Sequence, residues 1–207
     1  MSGSLPLAWM IARAAGLVTF GLLTLSVWLG LAMSTRLLGP KRQRRLLELH
    51  RTLVWTGLTM IVFHVGALML DPVMHFSALG VLVPFGSAYK PVAVAAGVVA
   101  AWLSLMLATS FRMRKWIGQK GWRRLHYASF GAFALSLGHA LYTGTDLRGL
   151  GGPILVLLAA CPVLWLTFYR LLIPQNALRR PPAATPSVCA TISRSARARS
   201  ATGGPVR

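Results

Sequence analysis

Five runs of about 20 apolar residues recur along this chain, and no other feature limits its fold as strongly. A hydrocarbon layer about 30 Å thick takes about 20 residues of helix to cross. Within it, a helix satisfies every backbone N–H and C=O inside its own segment. The runs cover 14–33, 53–70 (or from 50, counting its basic end), 92–110, 125–143 and 153–173. The first is too long for the core of a signal peptide, and no small-residue cleavage motif follows it, so it is expected to be retained. The predicted fold class is all-α: an integral membrane helical bundle with about five transmembrane helices.

Composition closes off the alternatives. Of 207 residues, 55% are hydrophobic and 12% charged, against about 25% charged in an ordinary soluble domain. The net charge of +19 would suit a nucleic-acid-binding domain, but such a domain is not this apolar. Two cysteines, Cys161 and Cys189, make neither a disulfide framework nor a cysteine metal site. Three acids leave almost no material for paired-carboxylate catalysis.

The basic residues alternate from side to side. The linkers after the first and third runs, together with the stretch from Arg170 onward, hold 19 of the 22 Lys and Arg residues. The opposite side holds Arg13, Lys90 and Arg148. The positive-inside rule then predicts a multi-pass protein of the cytoplasmic membrane, N-terminus out and C-terminus cytoplasmic. Contact with anionic lipid is an equally plain use of such loops. Three regions follow: an extracytoplasmic N-terminal segment over 1–13, a transmembrane domain over 14–173, and a basic cytoplasmic tail over 174–207. The tail is rich in Pro, Ser, Ala and Arg, lacks apolar periodicity and is expected to be disordered.

Four histidines carry the chemistry. His50 and His64 lie 14 residues apart on the second run, and His126 and His139 lie 13 apart on the fourth. Ionisable residues within a span are costly and mark functional sites. The second and fourth runs cross in the same direction. His50 is therefore level with His126 near the basic face, and His64 with His139 nearer the outer face, about 20 Å away along each helix. Two imidazoles at one depth are what a six-coordinate haem iron takes as axial ligands.

One angle does not fit. Fourteen residues at about 100° each return to within about 40° of the starting direction, whereas thirteen miss by about 140°. A plainer role also exists for each histidine, a hydrogen bond to a neighbouring helix. His75 pairs with nothing. Arg51, Arg123 and Arg124 flank the inner pair, where haem propionates need cations. Thr52, Thr56 and Thr59 form a polar stripe. Gly66, Gly131 and Gly138 leave room for a flat ring, and Phe63, Phe130 and Phe133 could pack against one.

His50-Arg51 followed by His64, then Trp122-Arg123-Arg124-Leu125-His126, His139 and Gly144-Thr145-Asp146, resembles the ferric reductase-like transmembrane domain family. That family includes the membrane parts of ferric reductases and NADPH oxidases and the haem subunit of a bacterial methionine-sulfoxide reductase system. The resemblance spans roughly 10–172. It implies two b-type haems with His50, His64, His126 and His139 on the iron, and a component of an oxidoreductase. Five runs stand where many members have six, and the flavin and nicotinamide domains of the larger members have no counterpart here. The expected function is electron transfer across the membrane. The donor would be a cytoplasmic flavin reductase or membrane quinol, and the acceptor extracytoplasmic: ferric iron, oxygen or a partner reductase. A histidine-dependent proton or metal-ion transporter and a non-catalytic anchor subunit are the competing readings.

Overall fold

In a computed structural model, residues 7–35, 40–72, 76–145 and 149–172 are described. Six α-helices follow one another: α1 Leu7–Ser34, α2 Gln43–Leu70, the short α3 Ala78–Leu82, α4 Pro91–His126, α5 Ala128–Thr143 and α6 Gly151–Leu172. A single 3₁₀ turn, Pro40–Arg42, leads into α2. No strand occurs among the described residues. The all-α reading of the sequence therefore holds.

Among the described residues, four helical stretches are long and apolar enough to cross a membrane: Leu7–Ser34, Gln43–Leu70, Pro91–Thr143 and Gly151–Leu172. The third has 53 residues and would reach about 80 Å if straight. It doubles back instead, since the Ala93 carbonyl near its start lies 2.8 Å from His139 near its end. Its two arms account for the third and fourth apolar runs. Gly118 makes the bend, with φ 73° and ψ 165°, a region only glycine occupies at ease.

Two hairpins form the bundle. α1 packs along α2, and α4 along α5. The direction of each helix follows from single contacts. His64 reaches Ala12 and His50 reaches Ser26, so α1 and α2 are antiparallel. His50 lies against His126 and His64 against His139, so α2 and α5 run the same way. The hairpins meet through α1 with α5 and α2 with α4. Small residues line the shared faces, with Ala12, Ala15, Thr19, Thr24 and Ser26 buried on α1 and Ala95 and Ala100 on α4. Without a hydrophobic drive between helices in lipid, close approach of backbones across small side chains supplies the packing. Large apolar side chains such as Trp102, Leu164, Trp165 and Phe168 stay exposed, as a surface bathed in lipid tails allows. α6 meets the bundle where the Trp28 indole N–H donates to the Ala159 carbonyl at 3.3 Å, three residues before Pro162.

Several boundaries differ from the sequence reading. α1 begins at Leu7, not at 14, because the helix extends through Trp9 and Arg13, whose guanidinium sits 6.0 Å from the indole centroid. Between α2 and α4 the chain forms the short α3. Ser77 caps α3 by accepting from the Gly80 N–H at 3.1 Å. The first compact unit ends at Arg170. Of the second, 171–207, only Leu171 and Leu172 are described. His75, Asp146, Arg148 and the tail expected to be disordered fall outside the described residues.

Candidate functional site

The four histidines come together in two pairs. The ring centroids of His50 and His126 are 6.3 Å apart at an interplanar angle of 63°. Those of His64 and His139 are also 6.3 Å apart, at 87°. An imidazole nitrogen lies about 1.15 Å from its ring centroid when ring bonds are near 1.35 Å. Metal–imidazole bonds are about 2.0–2.1 Å, so imidazoles on opposite sides of one metal have centroids about 6.3–6.5 Å apart. Both pairs meet that spacing.

Orientation comes from the helix behind each ring. His64 Nδ1 is 2.7 Å from the Ala12 carbonyl, His50 Nδ1 is 2.9 Å from the Ser26 carbonyl, and His139 Nδ1 is 2.8 Å from that of Ala93. A carbonyl only accepts, so each Nδ1 carries the proton and donates it. Nε2 is left as a neutral lone pair, the form a metal binds. Four residues beyond each carbonyl stands a glycine whose missing Cβ makes room for the ring. A Cβ on Gly97 would come within 2.5 Å of His139, one on Gly16 within 3.0 Å of His64, and one on Gly30 within 3.6 Å of His50.

Sequence reasoning missed this device, although its signal is plain in retrospect. Ala12…Gly16 and Ser26…Gly30 are small-residue pairs separated by 14, the spacing of His50 and His64 on the helix they face. His126 has no counterpart. It stacks on Trp122 at 5.0 Å and 26°, and its Nδ1 is buried with no hydrogen-bond partner among the described residues.

The thirteen residues from His126 to His139 are interrupted at Tyr127. His126 ends α4 and His139 lies in α5, so the two are not in phase on one helix. Bonds of i→i−3 type, Tyr127 N–H to Arg124 at 3.2 Å and Phe130 N–H to Tyr127 at 3.1 Å, tighten the chain there and add about 20° of rotation per residue, part of the misfit.

Around His64 and His139 lies a cavity of about 200 Å³, lined in part by Trp9, Arg13, Phe20 and Tyr89. Between the two levels, Phe20 and Phe133 stack at 6.2 Å and 22°. Arg51, Arg123 and Arg124 are exposed near the His50–His126 pair, with the Arg51 guanidinium 6.0 Å from the Phe111 centroid. The other flanking residues contribute less than the sequence suggested. Thr52 and Thr59 donate to carbonyls of their own helix, at Glu48 and Trp55, and Phe63 is exposed. A Cβ on Gly66, Gly131 or Gly138 would meet nothing within 4 Å.

The donor set limits what each pair could hold. No group of three or more His, Cys, Asp or Glu residues suited to a metal ion occurs among the described residues. Each pair thus offers two nitrogens, too few for a bare transition-metal ion such as zinc, which takes about four ligands. The set suits a metal that brings its other ligands with it, as haem iron does. Compared with protein-family models, curated proteins and solved structures, the chain matches none.

Proposed function

We propose that the chain carries single electrons across a membrane through two b-type haems. His50 and His126 would ligate the inner haem, His64 and His139 the outer. One observation carries this reading: two histidine pairs at two depths of a membrane bundle, each with centroids 6.3 Å apart. The resemblance to the ferric reductase-like transmembrane domain family supports the same reading.

When bound, haem supplies a one-electron ferric–ferrous couple. The protein's part is to hold and isolate it. Backbone carbonyls of Ala12, Ser26 and Ala93 fix three imidazoles with Nε2 directed away from the supporting helix. Gly16, Gly30 and Gly97 let the supporting backbone approach those rings. The apolar walls exclude water and lower the local dielectric, which tunes potential. Arg51, Arg123 and Arg124 at the inner end would meet the propionates. The basic face around them suits an acidic cytoplasmic flavoprotein as donor, by electrostatic attraction; a membrane quinol is the other donor of this reading. The acceptor lies on the opposite side: ferric iron, oxygen or a partner reductase.

The test is the absorption spectrum and haem content of the purified full chain, oxidised and then reduced. Two haems per chain and a sharp b-type shift on reduction are expected. His64→Ala and His139→Ala should each lose the outer haem and keep most of the inner, and His50→Ala and His126→Ala the reverse. Unchanged haem content in all four variants would show that these are not the ligands.

A further inference from the structure

We infer that the inner pair, on the two-haem reading above, is also a binding site for a small neutral diatomic ligand, because His126 is the one axial imidazole the fold does not lock. His50, His64 and His139 each donate Nδ1–H to a backbone carbonyl of the helix behind them, at 2.7–2.9 Å. Each also has a glycine against its ring. These supports hold the ring's direction and raise the basicity of Nε2.

On α4, fourteen residues beyond Ala93 and Gly97, stand Leu107 and Phe111. The Leu107 carbonyl accepts the Ser110 hydroxyl at 2.7 Å. Phe111 is a bulky ring where the other three positions have glycine, and it packs edge-on against Trp122 at 6.0 Å. His126 is left with Trp122 alone. Two buried nitrogens in that stack, Trp122 Nε1 and His126 Nδ1, lack partners among the described residues. His126 also sits at the junction of α4 and α5 rather than inside a helix. Its imidazole is the least constrained of the four, and the stack on Trp122 is the one contact among the described residues that restrains it.

The exchange is a substitution at ferrous iron. The bond from iron to His126 Nε2 breaks, a bond from iron to the carbon of carbon monoxide forms, and the imidazole leaves as a neutral base with its lone pair. No electron is transferred. The outer pair, locked on both sides, should not exchange.

The probe is carbon monoxide, added to the purified, haem-loaded full chain after chemical reduction and read by difference spectrum, with haem per chain measured first. Expected is an adduct on about half of the haem in the parent and on nearly all of it in His64→Ala, which keeps the inner haem. Trp122→Leu should speed carbon monoxide association about tenfold, while Trp122→Phe, which preserves the stack, should stay close to the parent. Overturning results are no adduct with both haems present, an adduct on both haems, or an association rate indifferent to Trp122→Leu. Failure to find haem at all would sink the two-haem reading instead, so the two failures are distinct.

Discussion

A single hydrogen atom in place of a methyl group sets how close a helix can come to an imidazole ring. The three glycines behind the histidines are graded in that respect. A Cβ on Gly97 would force His139 to move, one on Gly16 would press His64, and one on Gly30 would make ordinary contact with His50. Gly97→Ala should therefore cost the outer haem about 10–100-fold in affinity, as for loss of a supporting contact. Gly16→Ala should cost less, and Gly30→Ala should be close to neutral. Haem titration of the three purified variants checks the order; equal losses would show that ring clearance is not what the glycines provide. The histidines themselves were legible in the sequence because their residue type is rare in a span. Their carbonyl partners were not, because a backbone oxygen has no letter in a sequence. Only the repeated Ala…Gly and Ser…Gly spacing betrays them, and Gly66, Gly131 and Gly138 drew attention instead.

Among the elements, α4 carries most of what hydropathy could not foresee. Apolar runs mark where a chain crosses a membrane, but they are blind to a bend inside a polar stretch. The turn at Gly118 lies among Arg112, Arg114, Lys115 and Lys120, where every residue is solvated whichever way the helix points. The break at Tyr127 is equally hidden, since its residue types suit a continuous helix. Regular helical geometry left only an unexplained offset between His126 and His139, and nothing in the sequence placed a break at Tyr127. Gly118 is the testable hinge. Gly118→Ala should destabilise the fold by about 1–3 kcal/mol, the cost of a side chain in a backbone region reserved for glycine. The inner haem, whose His126 ligand lies eight residues on, should be lost at lower temperature than the outer. Thermal melts followed at the haem band would show this, and simultaneous loss of both haems would count against it.

For the whole molecule, the uneven division of Lys and Arg predicts that α3 and its flanks face outward and that the Gly118 bend faces the cytoplasm. Ala88 is exposed near Lys90, so Ala88→Cys should react with a membrane-impermeant thiol reagent in intact cells, while Trp116→Cys, also at an exposed position, should react only after lysis. The opposite pattern would invert the orientation. The bundle's class and the pairing of histidines by depth could be read from spacing alone, because both follow from helical rise and alternation of direction. How the two hairpins are built has a consequence for the order of assembly. His50 and His64 find their carbonyls on α1, and His139 finds its own on α4, so every such bond closes within one hairpin. Each hairpin can thus be finished as it leaves the ribosome, its rings already aimed, before the other exists. The space between paired rings lies between the two, beside the packing of α1 on α5 and α2 on α4. A metal bound in that space would rivet the two halves together, and a chain starved of it should keep the bonds inside each hairpin while losing that link.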